Sequence, residues 1–191
     1  MKKFYFLFVI TVLFFALTAQ AQIQRGNLLV GADIANFSLN LNSEGNFNMR
    51  IDPKLAFFIR DNLAVGPYIT FGLSTAKQAG SDIAYGVGAF GRYYINDSAV
   101  NILRHGHFFF EGNVGIEGYN PATGDNTNGL GIGGGPGYAY FITENVGLET
   151  LLKYNGIIGF GSSVTSSNLN LSFGLQIYLG SARVRESLVN P

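Results

Sequence analysis

Phe47-Asn48-Met49-Arg50-Ile51-Asp52-Pro53-Lys54-Leu55-Ala56-Phe57-Phe58-Ile59 is the stretch that decides the fold. Its odd positions are all apolar, while Arg50, Asp52 and Lys54 fall on the even ones. Successive side chains of a strand point to opposite faces, so strict alternation describes a strand with one apolar and one polar face. A helix repeats every 3.6 residues and would mix the two classes around its circumference.

The same pattern recurs along the chain. Leu63, Val65, Pro67, Ile69, Phe71 and Leu73 alternate with Ala64, Gly66, Tyr68, Thr70, Gly72 and Ser74. Leu169, Leu171, Phe173, Leu175, Ile177 and Leu179 alternate with Asn168, Asn170, Ser172, Gly174, Gln176 and Tyr178. Eight strands are predicted, approximately Asn27–Asn40, Phe47–Ile59, Leu63–Thr75, Ile83–Ile95, His107–Tyr119, Gly129–Phe141, Val146–Ile157 and Asn168–Leu179. In the first, Val30, Ala32 and Ile34 keep one phase and Phe37 and Leu39 the other, which predicts a bulge near Ala35-Asn36. The strands exceed the roughly 5–6 residues of an average strand and match the roughly 9–11 that a tilted strand needs to cross hydrocarbon.

The charged residues test the phase. Within strands two to eight they are Arg50, Asp52, Lys54, Arg92, Glu111, Glu117, Glu149 and Lys153, and every one lies on the small-or-polar phase. Gly86, Gly88, Gly131, Gly133, Gly135 and Gly137 share that phase, as the crowded inside of a narrow barrel favours. Alternation alone does not say which face is inside. The N-terminus helps: Lys2 and Lys3 precede the uncharged run Phe4 to Ala16, and Ala19-Gln20-Ala21 has the small-x-small form of a cleavage site. Residues 1–21 are therefore expected to be a signal peptide cleaved after Ala21, residues 22–180 the barrel and residues 181–191 a C-terminal tail. After Ala21 no apolar run approaches the roughly 20 residues of a spanning helix, so a membrane would be crossed by strands.

Composition agrees. The 191 residues carry zero formal net charge, 13% charged residues, 26 Gly, 17 Phe, 10 Tyr and no Cys. Charge is about half the roughly 25% usual in soluble domains. The balance offers no basic surface for nucleic acid, and disulfides and thiolate metal sites are excluded.

The expected fold class is all-β, an eight-stranded antiparallel up-and-down transmembrane β-barrel with apolar residues outside. Strand parity puts both termini on the periplasmic side, with tight turns at Arg60-Asp61-Asn62 and Ile142–Asn145. The loops around Asn42–Asn46, Ala76–Asp82, Asn120–Asn128 and Ile158–Ser167 would face outside. The connection Asn96–Gly106 is long for a periplasmic turn. Phe57, Tyr93, Phe108 and Tyr140 share the lipid-facing phase and the periplasmic end, so they are expected to form an aromatic girdle at that interface.

The small-x-small site, the eight amphipathic strands, the closing strand Asn168–Leu179 and the stretch Phe141-Ile142-Thr143-Glu144-Asn145-Val146-Gly147-Leu148-Glu149 resemble the small outer-membrane barrels of the OmpX, OmpW and OmpA type. The resemblance spans the mature chain and implies the outer membrane of a Gram-negative bacterium, with outer-membrane lipid and the barrel-assembly machinery as partners. Members often end in an aromatic residue; here strand eight ends Tyr178-Leu179 and the tail Gly180–Pro191 follows.

Candidate site residues lie on the polar phase. Arg50, Lys54, Arg92 and Lys153 face Asp52, Glu111, Glu117, Glu149 and Asp33 as a lumenal charge network, read as an interior plug rather than an ion path. Other signals are weaker. Gly86-Val87-Gly88-Ala89-Phe90-Gly91 and Gly129-Leu130-Gly131-Ile132-Gly133-Gly134 match a dinucleotide fingerprint, but each sits inside a strand with no helix after it. His105 and His107 lack a third metal ligand, and Asp125-Asn126-Thr127-Asn128 lacks the spacing of a calcium loop and reads as a solvated loop. No nucleophile, base and orienting group come together. The expectation is a non-enzymatic barrel without cofactors, with a structural, stress-related or surface-interaction role. A closed barrel leaves no edge to cap, so a monomer is expected. The alternatives are a barrel binding or conducting small apolar molecules, along Tyr68, Phe90, Tyr94 and Phe109, a soluble periplasmic barrel, and, with least support, an outer-membrane enzyme.

Overall fold

The computed structural model describes residues 23–39, 46–76, 80–95, 106–124, 126–160 and 165–180. Residues 1–21, residues 96–105 of the long connection with His105, Asp125, and residues 181–191 lie outside the described residues.

Eight strands follow in chain order: β1 (Leu28–Leu39), β2 (Asn46–Arg60), β3 (Leu63–Ala76), β4 (Gly80–Tyr94), β5 (Gly106–Asn120), β6 (Thr127–Phe141), β7 (Val146–Gly159) and β8 (Thr165–Leu179). Each pairs antiparallel with its neighbour in sequence, and β1 pairs with β8 to close the barrel. Closure satisfies the backbone groups that an open sheet would leave at its edges. β1 starts and β8 ends at the same end of the barrel, here the terminal end, where Leu28 pairs with Leu179 and with Phe57. The two short turns lie there too. Asp61 and Asn62 join β2 to β3, and Asn62 takes φ 66°, which Asn tolerates better than most residues. Thr143 stabilises the turn into β7 through its hydroxyl, which accepts from the backbone N–H groups of Asn145 and Val146. The opposite end is the mouth.

The β1 register shifts between Ala35 and Ser38, and Asn36 has φ 54°, so the chain bulges where the apolar phase changes. Several strands run further toward the mouth than hydropathy predicts: β4 begins at Gly80 rather than Ile83, β6 at Thr127 rather than Gly129, and β8 at Thr165 rather than Asn168. Ladder hydrogen bonding continues beyond the point where the outward face stops being apolar. One sequence reading is corrected by this. Thr127 and Asn128, read as solvated loop, belong to β6, where Asn128 accepts a hydrogen bond from the Tyr85 hydroxyl at 2.6 Å.

The outward face is apolar across the strands. Ile69, Val87 and Ile116 pair side by side on β3, β4 and β5, and all three are more than half exposed. Phe71, Val114, Ile132, Leu152, Leu171, Phe173 and Leu175 are exposed as well. The inward face is buried, and it is layered. At the terminal end Ile23, Leu29, Phe58, Tyr94, Phe109, Phe141 and Tyr178 form one apolar cluster. Ile23 is held under the barrel because its carbonyl accepts from the Asn62 N–H at 3.0 Å and the neighbouring Arg25 N–H donates to Asp61 at 2.8 Å. Above this floor lie charged side chains, and above those a polar mouth.

Candidate functional site

Period-2 alternation delivers every charged residue singled out from the sequence to the interior. Asp33, Asp52, Lys54, Arg92, Glu111, Glu117, Glu149 and Lys153 are buried, and Arg50 is nearly so. β-sheet register then decides which of them meet. Arg92 on β4 stands directly opposite Glu111 on β5. Lys54 on β2 stands opposite Gly31 on β1, two residues along the strand from Asp33 and on the same face.

Arg92 is the centre. One guanidinium nitrogen, Nη1, donates to both carboxylate oxygens of Glu149 at 2.8 and 2.7 Å. Nη2 and Nε donate to Glu111 Oε2 at 2.7 and 3.1 Å. The planar fork of an arginine suits this double engagement, which a lysine's point charge would not. Lys54 Nζ closes the other side of Glu111 at 3.0 and 2.9 Å and reaches Asp33 at 2.6 Å. Asp33 also accepts from Gln176 Nε2 at 2.8 Å. Lys153 approaches Glu111 less closely, at 3.6 Å. The ion pairs thus chain Asp33, Lys54, Glu111, Arg92 and Glu149 across the lumen, from β1 to β7.

Aromatic side chains seat the cations. The Arg92 guanidinium lies 4.0 Å over the Phe109 ring and Lys54 Nζ lies 5.1 Å over Phe90. Ring faces are negative, so these contacts stabilise the cations further. Tyr178 donates to Glu149 Oε1 at 2.6 Å, Tyr94 and Tyr178 share a hydrogen bond at 2.7 Å, and Arg92 donates to the Tyr94 hydroxyl at 3.1 Å. The inner aromatics Phe90, Tyr94 and Phe109 are therefore engaged with charged groups rather than lining an apolar cavity. Sequence reading missed Phe58, Phe141 and Tyr178 as floor residues and Gln176 as a partner of Asp33. Their phase marked them as inward; nothing in the pattern marked what they would touch.

Nearer the mouth a second set forms. Arg50 Nε donates to Asp52 at 3.1 Å, and Arg50 Nη2 donates to the Thr70 hydroxyl at 3.1 Å. Tyr68 donates to Glu117 Oε1 at 2.8 Å and accepts from Asn113 Nδ2 at 2.9 Å. Among the described residues no cation comes within 4 Å of Glu117, the one member of the sequence-predicted set that finds no ion partner.

Glycine makes room for this filling. A Cβ on Gly137 would sit 2.3–2.9 Å from three ring carbons of Phe109, the ring beneath Arg92. Gly137→Ala is therefore expected to push Phe109 into the guanidinium and to destabilise the barrel by about 1–3 kcal/mol, the usual cost of overpacking. Urea midpoints of the purified protein measure it, and adding Phe109→Leu should recover part of the loss. An unchanged midpoint would mean that Phe109 is not wedged.

Phe57, Tyr93, Phe108 and Tyr140, the residues expected to form a girdle, are all exposed on the outer face at the terminal end. Tyr138 joins them on the same face, with its ring 5.0 Å from that of Phe108. His107 points inward at that end, and its ring meets Phe141 edge-on at 5.8 Å. Among the described residues no three of His, Cys, Asp and Glu gather as a metal site. Both glycine fingerprints lie within antiparallel strands, β4 and β6.

Among solved structures, the barrel is similar to Neisserial surface protein A (NspA), with a TM-score of 0.54 and 19% sequence identity over 79% of this chain and 95% of that chain. Its fold is that of the small outer-membrane barrels. OprG from Pseudomonas aeruginosa gives a TM-score of 0.48 at 10% identity, covering 84% of this chain and 99% of that chain. Ail of Yersinia pestis gives 0.46 at 11%, covering 80% and 100%. No protein-family model and no curated protein matches the sequence. As a small outer-membrane-type barrel, the chain keeps the eight-stranded up-and-down topology while filling its interior with the charged network described above.

Proposed function

We propose that this chain is a non-enzymatic barrel resident in the outer membrane of a Gram-negative bacterium, exported through the signal peptide ending at Ala21. Its interior is plugged, and its role is structural or surface-interacting. One observation carries the reading: large apolar side chains are exposed all round the barrel while its ion pairs are buried inside. Soluble monomers rarely expose contiguous apolar surface beyond a few hundred Å². In a bilayer the same surface is the solvated one. The exposed Phe57, Tyr93, Phe108 and Tyr140 support a girdle at the periplasmic interface. The lumen of about eight strands is only wide enough for side chains or one small ligand, and here Arg92 and its carboxylates cross it above an aromatic floor.

The first test is fractionation combined with gel mobility. The expected outcome is recovery in the outer membrane, with a mobility shift in SDS on boiling. Recovery in the soluble periplasm without a shift would sink the reading. In planar lipid bilayers the purified protein should give no large, stable conductance, and a porin-like current would disprove the plug.

A further inference from the structure

A cavity of about 400 Å³ opens at the mouth, lined by residues that include Asn36, Asn48, Arg50, Asp82, Glu117 and Asn170. This volume falls within the roughly 300–1,000 Å³ of small-molecule pockets and far exceeds the ~30 Å³ share of one water. Its wall combines amides, hydroxyls and three ionisable side chains with the apolar Met49, Leu73, Ala84 and Ile157, so it suits a guest with a polar head and a short apolar part.

The ionisable groups give it a sign. Arg50 is engaged with Asp52 at 3.1 Å. Asp82 stands at the rim, where its two oxygens accept from the Ala122 N–H at 2.7 Å and the Tyr119 hydroxyl at 2.8 Å. Glu117 lies deeper and is 4% exposed. It accepts from Tyr68, and no cationic nitrogen lies within 4 Å of it among the described residues. Lys153, over the Tyr68 ring at 5.9 Å, reaches toward Glu111 instead. Four interior cations thus face five carboxylates, and the unpaired one borders the cavity.

Below Glu117 two further acceptors are unused. Asn113 Oδ1 and Asn155 Oδ1 are buried without hydrogen-bond partners, and both converge over Gly133, each 2.5 Å from where its Cβ would stand. Buried acceptors without donors are costly, and so is a buried carboxylate without a countercharge. A guest in the cavity that carries one positive charge answers the deficit at Glu117, which lines the cavity, whereas Asn113 and Asn155 lie below its lining.

We propose that the mouth cavity binds a small organic ammonium ion, its charge held by the Glu117 carboxylate and its N–H groups donated to the oxygens around it. A bare inorganic cation would balance the charge and leave most of the cavity volume unused. An anion would meet Glu117 and Asp82, with Arg50 already paired. The site does not depend on whether the outer face meets lipid, so it can fail while the outer-membrane reading stands, and the reverse.

The test titrates n-butylammonium chloride into the folded protein in detergent micelles at constant ionic strength, followed by calorimetry. n-Butanol and sodium butyrate serve as the neutral and anionic counterparts. Saturable binding of the ammonium, at least ~10-fold tighter than either counterpart and weakened ~10-fold or more in Glu117→Gln, is expected. The heat-shifted gel mobility reports whether the variant folds. If it does not, the ammonium-against-butanol comparison on the unaltered protein decides. Equal binding of butanol, no saturable binding, full affinity in Glu117→Gln, or displacement of the ammonium by an equal concentration of sodium would each overturn the proposal.

Discussion

Arg92→Met is expected to destabilise the barrel by about 3–5 kcal/mol, the cost of removing one partner from a buried ion pair. Arg92 is fully buried and is the cation within 4 Å of Glu149, while Glu111 keeps Lys54 at 2.9 Å when the arginine is gone. The loss therefore concentrates on Glu149, left among the described residues with Tyr178 as its close donor. It follows that Arg92→Met combined with Glu149→Gln should be more stable than Arg92→Met by itself, although it carries two changes. Arg92→Lys should fall between the native protein and the methionine variant, because one ammonium cannot reach both carboxylates as the fork does. Urea titrations of the purified protein, read by the unboiled gel mobility, give the midpoints. A loss under about 1 kcal/mol for Arg92→Met, or no recovery in the double variant, would show that the ion pairs are not held as a unit.

The second large effect lies on the opposite face. Val87→Arg is expected to weaken folding into phosphatidylcholine vesicles by about 2–4 kcal/mol, the depth-dependent penalty for a cation at the bilayer midplane. Val87 is 58% exposed at the middle of β4, between Ile69 and Ile116. On a water-facing surface the same change would shift stability by no more than about 0.5 kcal/mol. Ile95, exposed just past the terminal end of β4, is the control, and Ile95→Arg should cost only about 0–1 kcal/mol. Equal, small effects at the two positions would mean that the outer face is wetted by water. The comparison does not depend on the lumen, so it separates the membrane assignment from the plug.

The two faces were not equally legible in the sequence. A strand's period is 2, and a one-residue slip would turn Arg50, Asp52 and Lys54 outward together, so the charges fixed the phase of β2 before any partner strand was known. The bulge was legible for the same reason: Ile34 and Phe37 cannot share a face without an extra residue between them. Strand ends at the mouth were less so. Ser81, Asp82, Thr165 and Ser166 carry no hydropathy contrast, yet their backbones pair with Thr75, Ser74, Ile158 and Ile157. The Ile23 segment was missed because an apolar residue ahead of the first strand has no period to read.

The inward list of nine charged residues was legible; their pairing was not. Alternation is a local property, set by the geometry of each chain segment. Partnership depends on register between strands up to 57 residues apart, as for Arg92 with Glu149 and Lys54 with Glu111. Sequence by itself determined eight strands, their phases and the side on which charge would fall, because each follows from backbone geometry and the cost of exposing or burying a side chain. Only the closed tertiary structure decided that Arg92 would bridge Glu111 and Glu149, that the inner rings would carry cations, and that Glu117 would stand without an ion partner beside an open cavity. Those outcomes depend on which side chains reach the same point on the barrel axis, and that is a property of closure and stagger, which no single strand contains.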